Sequence, residues 1–279
     1  IAVGDLAGNS GNPVTSGTGN VTFDNLLPDA TSVTIASNHP LVVSRAIPGS
    51  VVTVAFTTDV PVTGVATPLP VVTFKSGGAV LDDASNRVIT VTNTNSPNKT
   101  EWTAAYTVDA ADTDGLVSFD IDFSDIAGNA AATVTSVTDT SSVVVDTTAP
   151  TLTSVEIASS FSTNTQASIN DTIKIDFVSN EIIADPAADA TNLVVTFTSG
   201  VGVIDPSRVS YTNVSGDKIN WTAQYDAASG DTEGAVSFAI AFNDISGNAG
   251  TTVTAVTNSS SVTFDKTLPT LSNVGIASS

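Results

Sequence analysis

The chain has no cysteine and no methionine, a single histidine, and 8 Lys and Arg against 28 Asp and Glu in 279 residues. Each shortage removes a class of function. Without cysteine there is no disulfide, so stability must come from apolar burial, backbone pairing and any bound metal. His39 is the sole histidine and recurs nowhere, so neither a Ser-His-Asp nor a Cys-His catalytic unit can be assembled twice, and histidine-bound zinc has no support. Nothing in the sequence suggests one acid in an apolar pocket beside an ionised partner, as a glycosidase would need. The formal net charge of −20 repels phosphate backbones and anionic headgroups, which makes nucleic acid a poor partner and divalent cations better ones. No apolar run approaches the roughly 18 residues that span a bilayer, so no direct membrane insertion is expected. The chain opens with Ile1 and not with a Met and signal peptide, so any targeting signal or anchor is expected outside it.

What is present is repetition. Asp125-Ile126-Ala127-Gly128-Asn129 recurs as Asp244-Ile245-Ser246-Gly247-Asn248, Trp102 as Trp221, Tyr106 as Tyr225, Gly115 as Gly234 and Asp146 to Pro150 as Asp265 to Pro269, all at an offset of 119 residues. Landmarks at one offset signify tandem units. Asp5-Leu6-Ala7-Gly8-Asn9, followed by Asp24 and Pro28, reads as the tail of a preceding copy, although the 19 residues from Asp5 to Asp24 fall short of the 21 found elsewhere. Asn273 to Ser279 echoes Thr153 to Ser159. The expected organisation is therefore the end of one repeat over 1–28, full repeats over 29–150 and 151–269, and the first strand of another over 270–279. A full repeat of about 120 residues is long enough to bury its own core. Two explanations are open for the orphan end strands: a segment of a longer polypeptide, or pairing with copies of the chain in a filament or lattice.

Within each repeat the hydrophobic period is two. Val117, Phe119, Ile121 and Phe123 alternate with Ser118, Asp120 and Asp122, as in a half-buried antiparallel strand. Val236, Phe238, Ile240 and Phe242 form the matching set, with Ala239 and Ala241 making the outer face less polar. Ile173, Ile175 and Phe177 alternate with Lys174 and Asp176, and Trp102, Ala104, Tyr106 and Trp221, Ala223, Tyr225 supply the bulky centres. Turn residues such as Ser76-Gly77-Gly78 and Ser215-Gly216-Asp217 separate the runs, and no capped helical stripe is present. Seven or so short strands per repeat predict an all-β fold of tandem immunoglobulin-like β-sandwich domains in an elongated array.

The Asp-x-Ala-Gly-Asn loop, then Val-Asp-x-Thr-Ala-Pro-Thr about 20 residues on, then Ser-Val-x-Ile-Ala-Ser, resembles the bacterial and archaeal immunoglobulin-like repeats of giant surface proteins, including surface-layer proteins and large adhesins. The resemblance covers Asp125 to Asn129 with Val145 to Thr151, and Asp244 to Asn248 with Phe264 to Thr270. It implies a non-catalytic, extracellular role at the cell surface, with neighbouring repeats as the first partners.

The loop has two readings. As a turn, the glycine permits positive φ and the aspartate caps the chain. As a metal site, the loop aspartates Asp125 and Asp244 with the linker aspartates Asp146 and Asp265, and Asp5 with Asp24 as a degenerate third set, would offer calcium the oxygen ligands it requires near a domain junction. The resemblance favours calcium, although no stretch fits the EF-hand pattern. Asp112, Asp114, Asp231 and Glu233 form a second acidic cluster that reads equally well as a solvated hairpin tip. Six Asn-x-Ser/Thr sequons (Asn20, Asn98, Asn170, Asn213, Asn220 and Asn258) are no more than a chain this rich in Ser and Thr produces by chance. Pro150 and Pro269 fix φ in a linker with almost no slack, which predicts a semi-rigid joint. The expected function is a structural segment of a long exported surface protein, stiffened by calcium at its junctions. The alternative is an adhesive module for glycan or protein ligands, which would call for a repeat-specific cluster of exposed aromatic rings.

Overall fold

The computed structural model describes Leu6, Ala7, Asn9 and residues 23–40, 42–64, 69–81 and 88–277. Among the described residues the regular structure is all strand apart from one 3-10 turn, Pro206–Arg208. The first sandwich contains β1 (Ala30–Ser37), β2 (Arg45–Ala46), β3 (Val51–Thr58), β4 (Val62–Thr63), β5 (Val71–Ser76), β6 (Ala79–Leu81), β7 (Thr90–Asn93), β8 (Glu101–Thr107), β9 (Gly115–Asp122), β10 (Ser124–Asp125) and β11 (Val144–Val145). The second contains β12 (Leu152–Ser159), β13 (Gln166–Ala167), β14 (Thr172–Ser179), β15 (Leu193–Ser199), β16 (Gly202–Val203), β17 (Ser210–Asn213), β18 (Asn220–Asp226), β19 (Gly234–Phe242) and β20 (Thr263–Phe264).

The strand orders correspond. One sheet runs β1-β3-β8-β7 in the first sandwich and β12-β14-β18-β17 in the second, and the facing sheet runs β2-β11-β9-β5-β6 and β13-β20-β19-β15-β16. Pairing is antiparallel except where β2 meets β11 and β13 meets β20, which run parallel. The first strand thus begins on one sheet and passes to the other, and strands distant in sequence become neighbours, as in immunoglobulin-like sandwiches. The period-two sets face inward: Val117, Phe119, Ile121 and Phe123 are buried, as are Val236, Phe238, Ile240 and Phe242. On the outer side of β19, Ala239 is half-buried and Ala241 exposed.

Each core is centred on corresponding aromatic pairs. Phe74 meets Tyr106 with ring centroids 4.8 Å apart, and Phe197 meets Tyr225 at 4.9 Å. Full burial of such side chains contributes about 1.5–3 kcal/mol each. The offset between the two halves is not constant. It is 122 residues from Val33 to Val155, 121 from Phe56 to Phe177 and 119 from Trp102 to Trp221, each pair holding the same place in its sheet. The second sandwich reaches its central Trp in three fewer residues, so a uniform 119-residue alignment misplaces the loops between β1 and β8.

The second acidic cluster is more than a solvated tip. Asp112 and Asp231 are buried, and Arg208 grips Asp231 with Nη1 to Oδ1 at 2.6 Å and Nη2 to Oδ2 at 2.9 Å while its guanidinium lies 5.7 Å from the Tyr225 ring centre. The hydrogen bonds from Arg208 hold the Asp231 carboxyl below its usual range. Burial pushes the Tyr225 phenol up to about 12, with the Asp231 charge adding to it. A carboxyl whose folded pKa is depressed contributes stability above its unfolded pKa, near 4, and loses it as pH falls through the folded value. Arg208 remains about a third exposed, which moderates the pair. Asp231→Asn should therefore lower stability by roughly 1–2 kcal/mol at pH 7, and thermal melts of variant and parent should converge as pH falls below about 4.

Candidate functional site

The Asp-x-x-Gly-Asn segment begins just after the last long strand of each sandwich. In the second, Asp244 Oδ1 accepts the N–H groups of Ser246 (2.7 Å) and Asn248 (2.9 Å), and Oδ2 accepts the Asn248 side-chain amide (2.8 Å). The main chain closes the turn, with Asp244 N–H donating to Asn248 O at 3.0 Å and Gly247 N–H to Asp244 O at 3.2 Å. Gly247, at φ +94°, supplies the left-handed residue. The first sandwich repeats this around Asp125, whose Oδ1 accepts Ala127 and Asn129 N–H at 2.9 Å and whose Oδ2 accepts Asn129 Nδ2 at 2.8 Å. The Asn129 amide leads these bonds in holding the Asp125 carboxyl below its usual range. The turn thus uses every distinctive residue of the motif.

The asparagine has one more donation to make, and it points out of the turn. Asn248 Nδ2 donates to the carbonyl of Asp146 at 3.1 Å, and Asn129 Nδ2 to the carbonyl of Asp24 at 3.3 Å. Each loop therefore reaches back to the linker in front of its own sandwich. At the second junction Ser246, fully buried, donates its hydroxyl to Asp146 Oδ2 at 2.7 Å and accepts Arg45 Nη1 at 3.0 Å. Arg45 lies on β2 of the first sandwich. That sandwich also holds the linker directly: Asp114 Oδ1 accepts Thr147 N–H (2.6 Å) and Thr147 hydroxyl (2.8 Å), and Oδ2 accepts Thr148 hydroxyl (2.6 Å).

The same junction gathers Asp146, Glu181 and Asp244, with one carboxylate oxygen from each lying within 4.8 Å of the others. Glu181 follows β14, where Ser179 Oγ donates to its carbonyl. The bridge between Ile183 and Asp244 draws that segment against the loop. Glu181 Oε1 is buried and has no hydrogen-bond partner. Burial raises the Glu181 pKa first, and the charges of Asp244, Asp146 and Asp114 raise it further. Two such charges at this separation repel by roughly 3 kcal/mol at an effective dielectric of 20. The donor set fits a hard divalent cation: it is all oxygen, anionic, held by preformed hydrogen bonds, and includes one buried oxygen with nothing to bind.

Of the residues singled out in sequence, Asp146 and Asp244 come together here. Asp24 and Asp125 meet through Asn129, and no third carboxylate joins them within 4.8 Å among the described residues. Asp265 caps its own turn, accepting Thr267 N–H at 2.9 Å. Asp5 lies outside the described residues. Glu181 is absent from a repeat-based list because its counterpart is Val60: Thr58 Oγ1 donates to Val60 O as Ser179 Oγ does to Glu181 O. Ser246 likewise answers to Ala127, so at these two positions the second junction carries a carboxylate and a hydroxyl where the first carries apolar side chains.

No family model and no curated protein matches the chain. Among solved structures, titin domains Z1Z2 in complex with telethonin align with 89% of this chain and 100% of that one at 13% identity and a TM-score of 0.30. A marsupial T cell receptor aligns with 86% of this chain and 74% of its own at 9% identity and a TM-score of 0.42. Rst D1-D2 covers 87% of this chain at 12% identity and a TM-score of 0.34. Likeness at this level says nothing of function, and the sandwich fold rests on strand order and register.

Proposed function

We propose that the chain is a non-catalytic structural segment of a long exported cell-surface protein, a surface layer or stalk, in which immunoglobulin-like sandwiches are joined into a semi-rigid rod. One observation carries this reading: the linker at Asp146 to Thr148 is gripped from both sides, by Asp114 and by Ser246 with Asn248. Flexible linkers leave domains independent, whereas a linker bound to both neighbours transmits orientation. The sequence resemblance supports the surface location. The residue inventory supports the absence of catalysis. Among the described residues no helix is long and apolar enough to cross a membrane.

Calcium is the cation that suits the junction. Its irregular shell of six to eight oxygens tolerates ligands already fixed by a loop, whereas magnesium demands near-octahedral geometry. Asp146, Glu181 and Asp244 would hold it, relieving the mutual repulsion of their charges and tying the linker to the second sandwich. The adhesive alternative finds less support, because Trp102, Trp221, Tyr106 and Tyr225 are all buried.

Calcium should raise the melting temperature of the parent chain by about 2–4 °C at saturating concentration, with chelator reversing the shift. Glu181→Gln should abolish that shift and, in chelator, melt no lower than the parent because a repulsive charge is gone. Identical melts of the parent in calcium and chelator would remove the metal from the account.

Asn248→Ala deletes the bonds to Asp244 Oδ2 and Asp146 O, so it should cost about 1–3 kcal/mol and speed hydrogen exchange at Ser246 and at position 248. Unchanged exchange would show that the clip carries no load.

A further inference from the structure

The trailing end of the second sandwich repeats the hydrogen-bond pattern of the surface that the first sandwich presents to the second. Asp265 N–H donates to Ala167 O at 2.9 Å as Asp146 N–H does to Ala46 O at 3.0 Å. Glu233 Oε1 accepts Lys266 N–H and Thr267 hydroxyl, as Asp114 accepts Thr147 and Thr148. In the loop after the first strand, His39 N–H donates to Ser37 Oγ at 3.0 Å, and Phe161 N–H to Ser159 Oγ at 3.1 Å. Phe161 therefore stands where His39 stands, although the loop from it to Gln166 is one residue shorter than that from His39 to Arg45.

Their surroundings differ. His39 is 6% exposed and lies over the Asp-x-x-Gly-Asn loop, where a Cβ added to Gly247 would come within 3.2 Å of His39 Nε2. Phe161 is 40% exposed. Because the twin of this face is covered by the loop of the next sandwich, the open ring lies where a loop of the same kind would seat. Gln166 stands in place of Arg45, so this face offers a neutral amide and an apolar ring where the first offers a guanidinium and an imidazole.

We propose that the face formed by Phe161, Gln166 and Asp265 is a docking surface for the Asp-x-x-Gly-Asn loop of a further sandwich joined in tandem after Pro269. The loop's asparagine donates to the Asp265 carbonyl and its glycine lies beneath the Phe161 ring. Glycine is required there because a side chain would meet the ring. Gln166 in place of Arg45 removes the guanidinium from this joint, so salt affects it less than the joint at Asp146. The inference rests on the rod reading and extends it to a second, chemically distinct joint.

The test fuses residues 151–269 after Pro269 in place of 270–279 in an otherwise full chain carrying Phe161→Trp, and measures iodide quenching of the new indole; Trp102 and Trp221 are buried and contribute little. Quenching should fall several-fold in the extended chain relative to the unextended Phe161→Trp chain, tracking the drop from 40% exposure toward the 6% of His39. Replacing by alanine the asparagine of the appended loop should restore it. Equal quenching in extended and unextended chains overturns the proposal, as does protection that appears in the unextended chain only as its concentration rises, which would make a second copy the occupant. Should the appended copy fail to fold, residues 29–149 fused at the same place serve instead, with hydrogen exchange at Lys266 and Thr267 as the readout; unaltered exchange there overturns the proposal. The rod reading is judged separately at the Asp146 joint of the parent chain, so a loose third sandwich beside a fixed second one defeats this inference alone.

Discussion

The structure turns on how a short linker satisfies its polar groups. Residues 146–151 connect two sandwiches without secondary structure of their own, so the donors and acceptors of Asp146, Thr147 and Thr148 must be met by the neighbours or by water. The neighbours meet them. Asp114 takes the threonine donors, Asn248 donates to the Asp146 carbonyl, and Ser246 to its carboxylate. Because these partners belong to different sandwiches, satisfying the linker and fixing the joint are one event. The proposed mechanical role rests on this hydrogen-bond accounting.

On that shared clip the chain places different chemistries. Both loops fold alike, and both asparagines reach a linker carbonyl. The second junction adds Ser246 for Ala127 and Glu181 for Val60, so a third acid joins the linker and loop aspartates. A cluster of this kind opposes docking when empty and favours it when a cation is bound, so cation supply would set the stiffness of that joint separately from the other. Repeats that look interchangeable in their cores therefore differ at their ends.

Much of the fold was legible in sequence because burial imposes a simple period. Val117, Phe119, Ile121 and Phe123 alternate with polar residues and face the core, and the Trp and Tyr landmarks fall at matching sheet positions. The site was legible in part. Asp146 and Asp244 stood out because they recur, whereas Glu181 was hidden for the opposite reason: it does not recur, and three residues lost before Trp221 shift its alignment. The asparagine looked like a turn residue because it is one; its outward amide becomes visible only when the linker is seen beside it. Asp112 and Asp231 looked like a wet hairpin tip since sequence carries no sign of the arginine that covers Asp231.

In a semi-rigid rod the two sandwiches keep one mutual orientation. With no native cysteine, spin labels can be placed without background at Thr92→Cys and Thr212→Cys, exposed positions on β7 and β17. Pulsed electron dipolar spectroscopy then reads the distribution of distances between the sandwiches in calcium. A single narrow distribution is the result this account predicts. A broad one, no narrower than that of the same pair of labels when the linker residues 146–150 are replaced by a glycine-serine tract, would contradict it.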